Sequence, residues 1–491
     1  MTVLSSLAQV GSVAIPAVVG AGLLRRHSER RHSETLHVAA SVAALLLVVA
    51  GYALGWGHGP GAAVIQTAPI QTALSESFGS SMGMLVAVIA LCLAVGIERD
   101  LADPRARGLL LLTEAALLLL YTSPSPAGMA AGCVLSALPL AYDLGRTSPP
   151  PERARTLGTL AILLVGSGAL AGFVLTRSEG LMAIGLVLRT ALVPCFGWLL
   201  YATTRGNLAL GTLLLVSQPA LFIELGVGEG SMPGPDWEGI RTGLVGLALS
   251  TGLAGSVLGS RAPGLRRQLG CLGLTMGGIL LAASVSESEL LVLASSVAWI
   301  SFALGITGLA LLTSAIESRM THAETGRLGH VARDAPWLGG FGIALSLALV
   351  GLPGTLGFIA SELMIDGWIE IRPWAATLVG VTMALTAVNL MRMFWGMLPS
   401  TGSERLPLDL TRRERAALWL VLLPLLLFGV LPKPLLAEVR ATPERTRAPA
   451  GGTALQRALS LQHGETPPVL EHGIELVLPP GLEVAPLQRG E

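Results

Sequence analysis

The chain has 491 residues, 52% of them hydrophobic and only 13% charged, against about 25% charged in a typical soluble domain. Its 32 basic and 32 acidic residues cancel, and no nucleic-acid partner is expected. Cys92, Cys133, Cys195 and Cys271 show no paired spacing, so neither a disulfide framework, a metal site nor a bound cofactor is expected.

Stretches apolar over the about 17–25 residues that cross a bilayer recur from end to end. They fall at 3–23, 36–56, 80–97, 107–123, 126–142, 156–176, 181–203 and 207–227, then at 240–259, 268–284, 289–315, 338–365, 374–397 and 414–432. The fold class is therefore an all-α polytopic membrane protein of about fourteen spans. The first stretch lacks the basic start of a signal peptide and is followed at once by another apolar helix, so it reads as a true span. Segment 57–79, GHGPGAAVIQTAPIQTALSESFG, is too broken by glycine and proline to cross and reads as an external loop or hairpin. From 437 the chain turns to proline, glutamate and arginine, with one short apolar alternation, IELVLPPGLEV. That tail reads as soluble and external.

Arginine sorts the loops. Segments 24–36, 98–107, 143–155, 204–206, 260–267, 317–333 and 401–415 hold 21 arginines, whereas the opposite loops show only Arg177, Arg241 and Arg372. By the positive-inside rule the first set is cytoplasmic, which puts both termini outside a bacterial inner membrane. Lysine occurs once, at Lys433.

Two spans are interrupted: the seventh by Pro194, the twelfth by GLPGTLGF at 351–358, with Pro353 at its centre. Prolines and glycines at membrane depth free backbone groups that protein or water must satisfy, so such breaks line cavities. One broken helix in each half points to two inverted repeats. The organisation read from this is 1–106 for spans one to three, 107–230 for a first repeat (spans four to eight), 231–400 for a second (nine to thirteen), 401–436 for span fourteen and 437–491 for the tail. Glycine-rich GCLGLTMGG lies inside a span and reads as close helix packing rather than phosphate binding.

Ionisable side chains within spans are expensive and mark function. The candidates are Glu114, Arg189, Glu224, Glu362, Asp366 and Arg392, with no histidine counted among them. Glu362 and Asp366 stand one turn apart and share a helix face. Arg392 lies near the cytoplasmic end of span thirteen, where its side chain snorkels. Arg189 sits in LVLRTALVPCFGWLL, five residues before Pro194, and needs a neutralising partner.

Together these features resemble the antiporter-like, proton-conducting membrane subunits of respiratory complex I, membrane-bound hydrogenases and multi-subunit cation/proton antiporters. In that family a span-seven lysine is followed by a proline and a tryptophan at the spacing that Arg189, Pro194 and Trp198 reproduce. RRQLGCLGLTMGG at 266–278, GRLGHVARDAPWLGG at 326–340 and GLPGTLGF resemble three further motifs in order, so the likeness covers about residues 75–430. The chain also departs from the family. Span five has no acid, the span-eight lysine position falls on Ala220 with Gln218 nearby, the histidine before the tryptophan is Phe196, and span eleven shows no lysine. Arginine stays protonated in proteins, so Arg189 does not relay a proton as lysine does.

The resemblance implies an ion-translocating subunit of a larger complex, not catalytic by itself, with other membrane subunits and the lipid bilayer as partners. Glu114, Arg189 and Glu362 are its expected ion pair and path, with Glu114 replacing the absent span-five acid and neutralising Arg189. Pro194, Trp198, Gln218, Pro353, Asp366 and Arg392 support them. The alternative is a scaffold or energising subunit that anchors a peripheral enzyme, as in inorganic-carbon uptake systems whose antiporter-like subunit serves a zinc-containing, carbonic-anhydrase-like partner.

Overall fold

The computed structural model describes residues 2–25, 30–56, 71–123, 125–224, 237–286, 288–319, 335–395, 409–433 and 435. Among them the secondary structure is helical throughout, without a strand. In chain order the helices are α1 (Thr2–Arg25), α2 (Arg30–Trp56), α3 (Gln71–Gly96), α4 (Pro104–Thr122), α5 (Pro126–Leu135), α6 (Leu138–Thr147), α7 (Arg153–Thr176), α8 (Glu179–Arg189) and α9 (Gly197–Arg205). They continue with α10 (Leu208–Glu224), α11 (Trp237–Gly259), α12 (Leu265–Ser284), α13 (Glu289–Arg319), α14 (Pro336–Val350), α15 (Leu356–Ile371), α16 (Pro373–Trp395) and α17 (Arg412–Val430). Seven stretches are long and apolar enough, by length and composition, to cross a membrane. The expected loop at 57–79 is corrected in part, because α3 is already helical from Gln71; residues 57–70 and the tail from 437 lie outside the described residues.

Burial grades the bundle. α13 is its central element, with 78% of its apolar window inside the protein, whereas the windows in α1 and α2 are 28% buried. Between membrane helices the hydrophobic effect gives little, so tight contact carries the packing. Gly166 of α7 shows how: a Cβ there would stand 2.7 Å from the backbone nitrogen of Arg189 on α8.

The described parts of all seven arginine-rich segments are linked at one end of the helices. Arg266 donates to both Asp100 (2.8 Å) and Glu317 (2.7 Å), and Asp100 also accepts from the N–H of Leu208. Arg319 holds Glu414 at 2.7 Å, Arg146 reaches Asp103 and Arg205 reaches Glu152, each at 3.1 Å. Glu34 pairs with Arg413 and lies 3.7 Å from Arg107. Asp409 takes the N–H groups of Trp337 and Leu338, capping the first turn of α14 from a distant loop. Thr411 and Glu414 form a capping box that starts α17.

Candidate functional site

The break in the seventh span is held by backbone and side-chain hydrogen bonds. α8 ends at Arg189, and the chain turns through Ala191 in the left-handed region (φ 58°) to a cis Val193–Pro194 bond. The Leu188 carbonyl accepts from the Trp198 indole at 2.9 Å. The Val193 N–H donates to Thr251 Oγ1 of α11 at 3.0 Å. Trp198 therefore closes the end of α8 and is 1% exposed.

Arg189 is fully buried at this break. Its guanidinium donates from Nε to Gln218 Oε1 (3.1 Å, α10), from Nη1 to Ser167 Oγ (2.5 Å, α7) and from Nη2 to Ser136 Oγ (3.0 Å, at the α5–α6 junction). The two hydroxyls spend their own protons on the carbonyls of Leu163 and Cys133, which turns their lone pairs toward the arginine. All three partners are neutral. The expected pairing with Glu114 is thus overturned: among the described residues no carboxylate meets Arg189, and its charge is spread over dipoles from three directions instead.

Glu114 belongs to a different place. On α4, with no exposed surface, it accepts a hydrogen bond from Ser41 of α2 through Oε2 at 2.7 Å, and its Oε1 has no partner. Ser41 is the last of three buried α2 residues four apart, Ser33, His37 and Ser41, a spacing that puts them on one helix face. Arg107, two turns before Glu114, donates to Ser33 Oγ at 2.8 Å, so α2 and α4 run side by side in the same direction. His37 lies between these two rungs, 1% exposed, with Nε2 unpartnered. The sequence reading counted no histidine inside a span; His37 corrects that, and the Ser-His-Ser periodicity was its signal.

The twelfth span breaks in the same way. Leu192 N–H bonds the carbonyl of Val187 and Cys195 N–H that of Leu192; Leu352 N–H bonds Leu347 and Thr355 N–H bonds Leu352, each residue 160 positions after its counterpart. Ala191 (φ 58°) and Gly351 (φ 91°) keep the same offset. The position matching Arg189 is Leu349, and the charge is absent there. Glu362 and Asp366, expected on the path, are exposed on α15, and Arg392 is exposed on α16, where it donates to the Ser260 carbonyl. The structure therefore does not bring Glu114, Arg189 and Glu362 together. A third break, between α5 and α6, places Ser136 against Arg189. The signal for it was Pro139, which withdraws an N–H from the Leu135 carbonyl. Among the described residues no group of histidine, cysteine, aspartate or glutamate has the arrangement of a metal site.

Residues 157–386 match the family model described as NADH:quinone oxidoreductase/Mrp antiporter, TM. NADH-quinone oxidoreductase subunit 13 of Thermus thermophilus is 34% identical over 125 residues, which are 26% of each chain, so the match spans about a quarter of that relative. A chain of respiratory complex I from Thermus thermophilus with bound NADH superposes with a TM-score of 0.73 over 89% of this chain and 99% of its own, at 24% identity. A chain of the Mrp complex from Dietzia sp. DQ12-45-1b does so with a TM-score of 0.68 over 94% and 100%, at 18% identity. At these identities the superpositions establish the fold. In that fold, and over residues 157–386, this multi-pass membrane protein is similar to the antiporter-like membrane subunits of NADH-quinone oxidoreductases and Mrp complexes.

Proposed function

We propose that the chain is the antiporter-like membrane subunit of a larger ion-coupled complex, in which Glu114 is the group that takes up and releases a proton and Arg189 is a fixed positive charge. The observation that carries this reading is the guanidinium buried at a helix break on three neutral partners. A charge that no carboxylate among the described residues cancels, and that stays protonated, repels other cations along the axis, as arginines do in channels that exclude protons. It acts on its surroundings by field rather than by transfer. Glu114 has the complementary property: a buried carboxyl with one free oxygen carries a proton or releases it according to its neighbours.

The relatives are subunits of multi-subunit complexes, and the same assembly is proposed here, with lipid and further membrane subunits around this chain. The exposed carboxylates Glu362 and Asp366 on a membrane helix support a neighbouring subunit over α15. The gathering of seven arginine-rich segments at one end supports fourteen crossings with that end cytoplasmic and both termini outside in a bacterial inner membrane. The 160-residue offset between the two breaks supports two repeats, at 107–230 and 231–400. Glu114 and its α2 partners stand outside the second repeat altogether.

The second reading, a scaffold or energising subunit that anchors an enzyme such as one for inorganic carbon, is favoured by the second break, where Leu349 stands in place of a charge. The two separate in proton uptake by the reconstituted complex. The first expects Glu114→Gln to abolish uptake while the complex assembles at wild-type abundance. Wild-type uptake in that variant contradicts it and leaves the scaffold.

A further inference from the structure

We infer that the arginine-rich end carries a binding site for an anionic phospholipid, in the cleft between α7, α9 and α12. The cleft has a volume of about 450 Å³ and is lined by Arg155 and Thr159, by Trp198, Leu200 and Tyr201, and by Arg267, which places it within the range of about 300–1,000 Å³ typical of small-molecule sites. Its composition is divided. Trp198 and Leu200, with Ile162, give an apolar wall, while Arg155 and Arg267 stand exposed on the two sides.

The charge balance identifies the ligand class. Arg107, Arg146, Arg205, Arg266, Arg319 and Arg413, at the same end, each meet a carboxylate. Arg155 and Arg267 meet none among the described residues. The carboxylate that comes near, Glu152, accepts from Tyr201 at 3.3 Å and is already held by Arg205 at 3.1 Å. Two uncompensated cations over an apolar wall match a phosphate headgroup with its acyl chain, and basic pockets between membrane helices on the cytoplasmic side hold such lipids. The chain's own surface continues the acyl path: Val165, one turn beyond Ile162 on α7, is 58% exposed. A zwitterionic lipid lacks the net charge, and free phosphate lacks the tail that the wall requires.

The cleft also touches the site. Trp198 lines it and at the same time closes α8 at the Leu188 carbonyl, one residue from Arg189. A bound lipid therefore bears on the element that positions the buried guanidinium.

The test is native mass spectrometry of the full chain, extracted with the subunits that accompany it and exchanged into phosphatidylglycerol or phosphatidylcholine. Phosphatidylglycerol should be retained in preference. Arg155→Gln or Arg267→Gln should weaken retention about fivefold each and the pair about thirtyfold, while Arg412→Gln at the start of α17 serves as a control without effect. The thermal midpoint should rise with added phosphatidylglycerol in the wild type and not in the double variant, which also shows that the variant is folded. Equal retention of both lipids, retention by the double variant, or displacement by inorganic phosphate alone would overturn the inference. So would crosslinking of Thr204→Cys to a neighbouring subunit instead of lipid.

Discussion

The two broken helices solve one backbone problem identically and differ in chemistry at the decisive position. After Leu188 and after Ala348 the chain turns through a left-handed residue and the same two hydrogen bonds, 160 residues apart. The first break then presents Arg189 and the second Leu349. Around Arg189 the bundle supplies Ser136, Ser167 and Gln218; around Leu349 it supplies apolar contact, with the leucine against Gly305. A break in a membrane helix is thus not in itself a site for charge. What makes the first one tolerate an arginine is the ring of oxygens that neighbouring helices bring to it.

Making the first break resemble the second should have the largest effect. Arg189→Leu leaves the three acceptors buried and unpaired, at about 1–3 kcal/mol each, so a loss of about 3–9 kcal/mol before relaxation is expected. The check is the thermal midpoint and the abundance of the extracted complex. Wild-type abundance would mean that the oxygens find other donors.

A smaller effect should follow from pushing the ring apart without touching it. In Gly166→Ala the new methyl would meet the Arg189 nitrogen at 2.7 Å and Leu188 Cβ at 2.9 Å, both rigid parts of the neighbouring helix. Overpacking of this kind costs about 1–3 kcal/mol. Denaturation of the purified variant should show it, and a neutral outcome would mean that α7 and α8 slide freely.

How much of this was legible in the sequence divides along physical lines. The all-helical apolar character and the breaks were readable because apolar length, proline and glycine act locally, and Pro194 and Pro353 stand where the chain turns. The break at Ser136 was readable too, from Pro139, but lay hidden in an otherwise continuous apolar run. The partners of Arg189 were not readable. Ser136, Ser167 and Gln218 are ordinary residues 53, 22 and 29 positions away, whereas the expected counter-ion was Glu114, in place of the acid that span five lacks. Which way Glu362 and Asp366 face was equally closed to a single chain, since their spacing fixes a shared face and not its direction.

The central claim is that the fixed charge and the ionisable carboxyl are separate centres, and a double-mutant cycle tests it most directly. Unfolding free energies would be compared for the wild type, Arg189→Leu, Glu114→Gln and the double variant in the same detergent. With no shared partner between Arg189 and Glu114, the two single effects should add to within about 0.5 kcal/mol. A coupling of about 3 kcal/mol or more, the size expected when one side of a buried ion pair is removed, would show that the two charges neutralise each other after all.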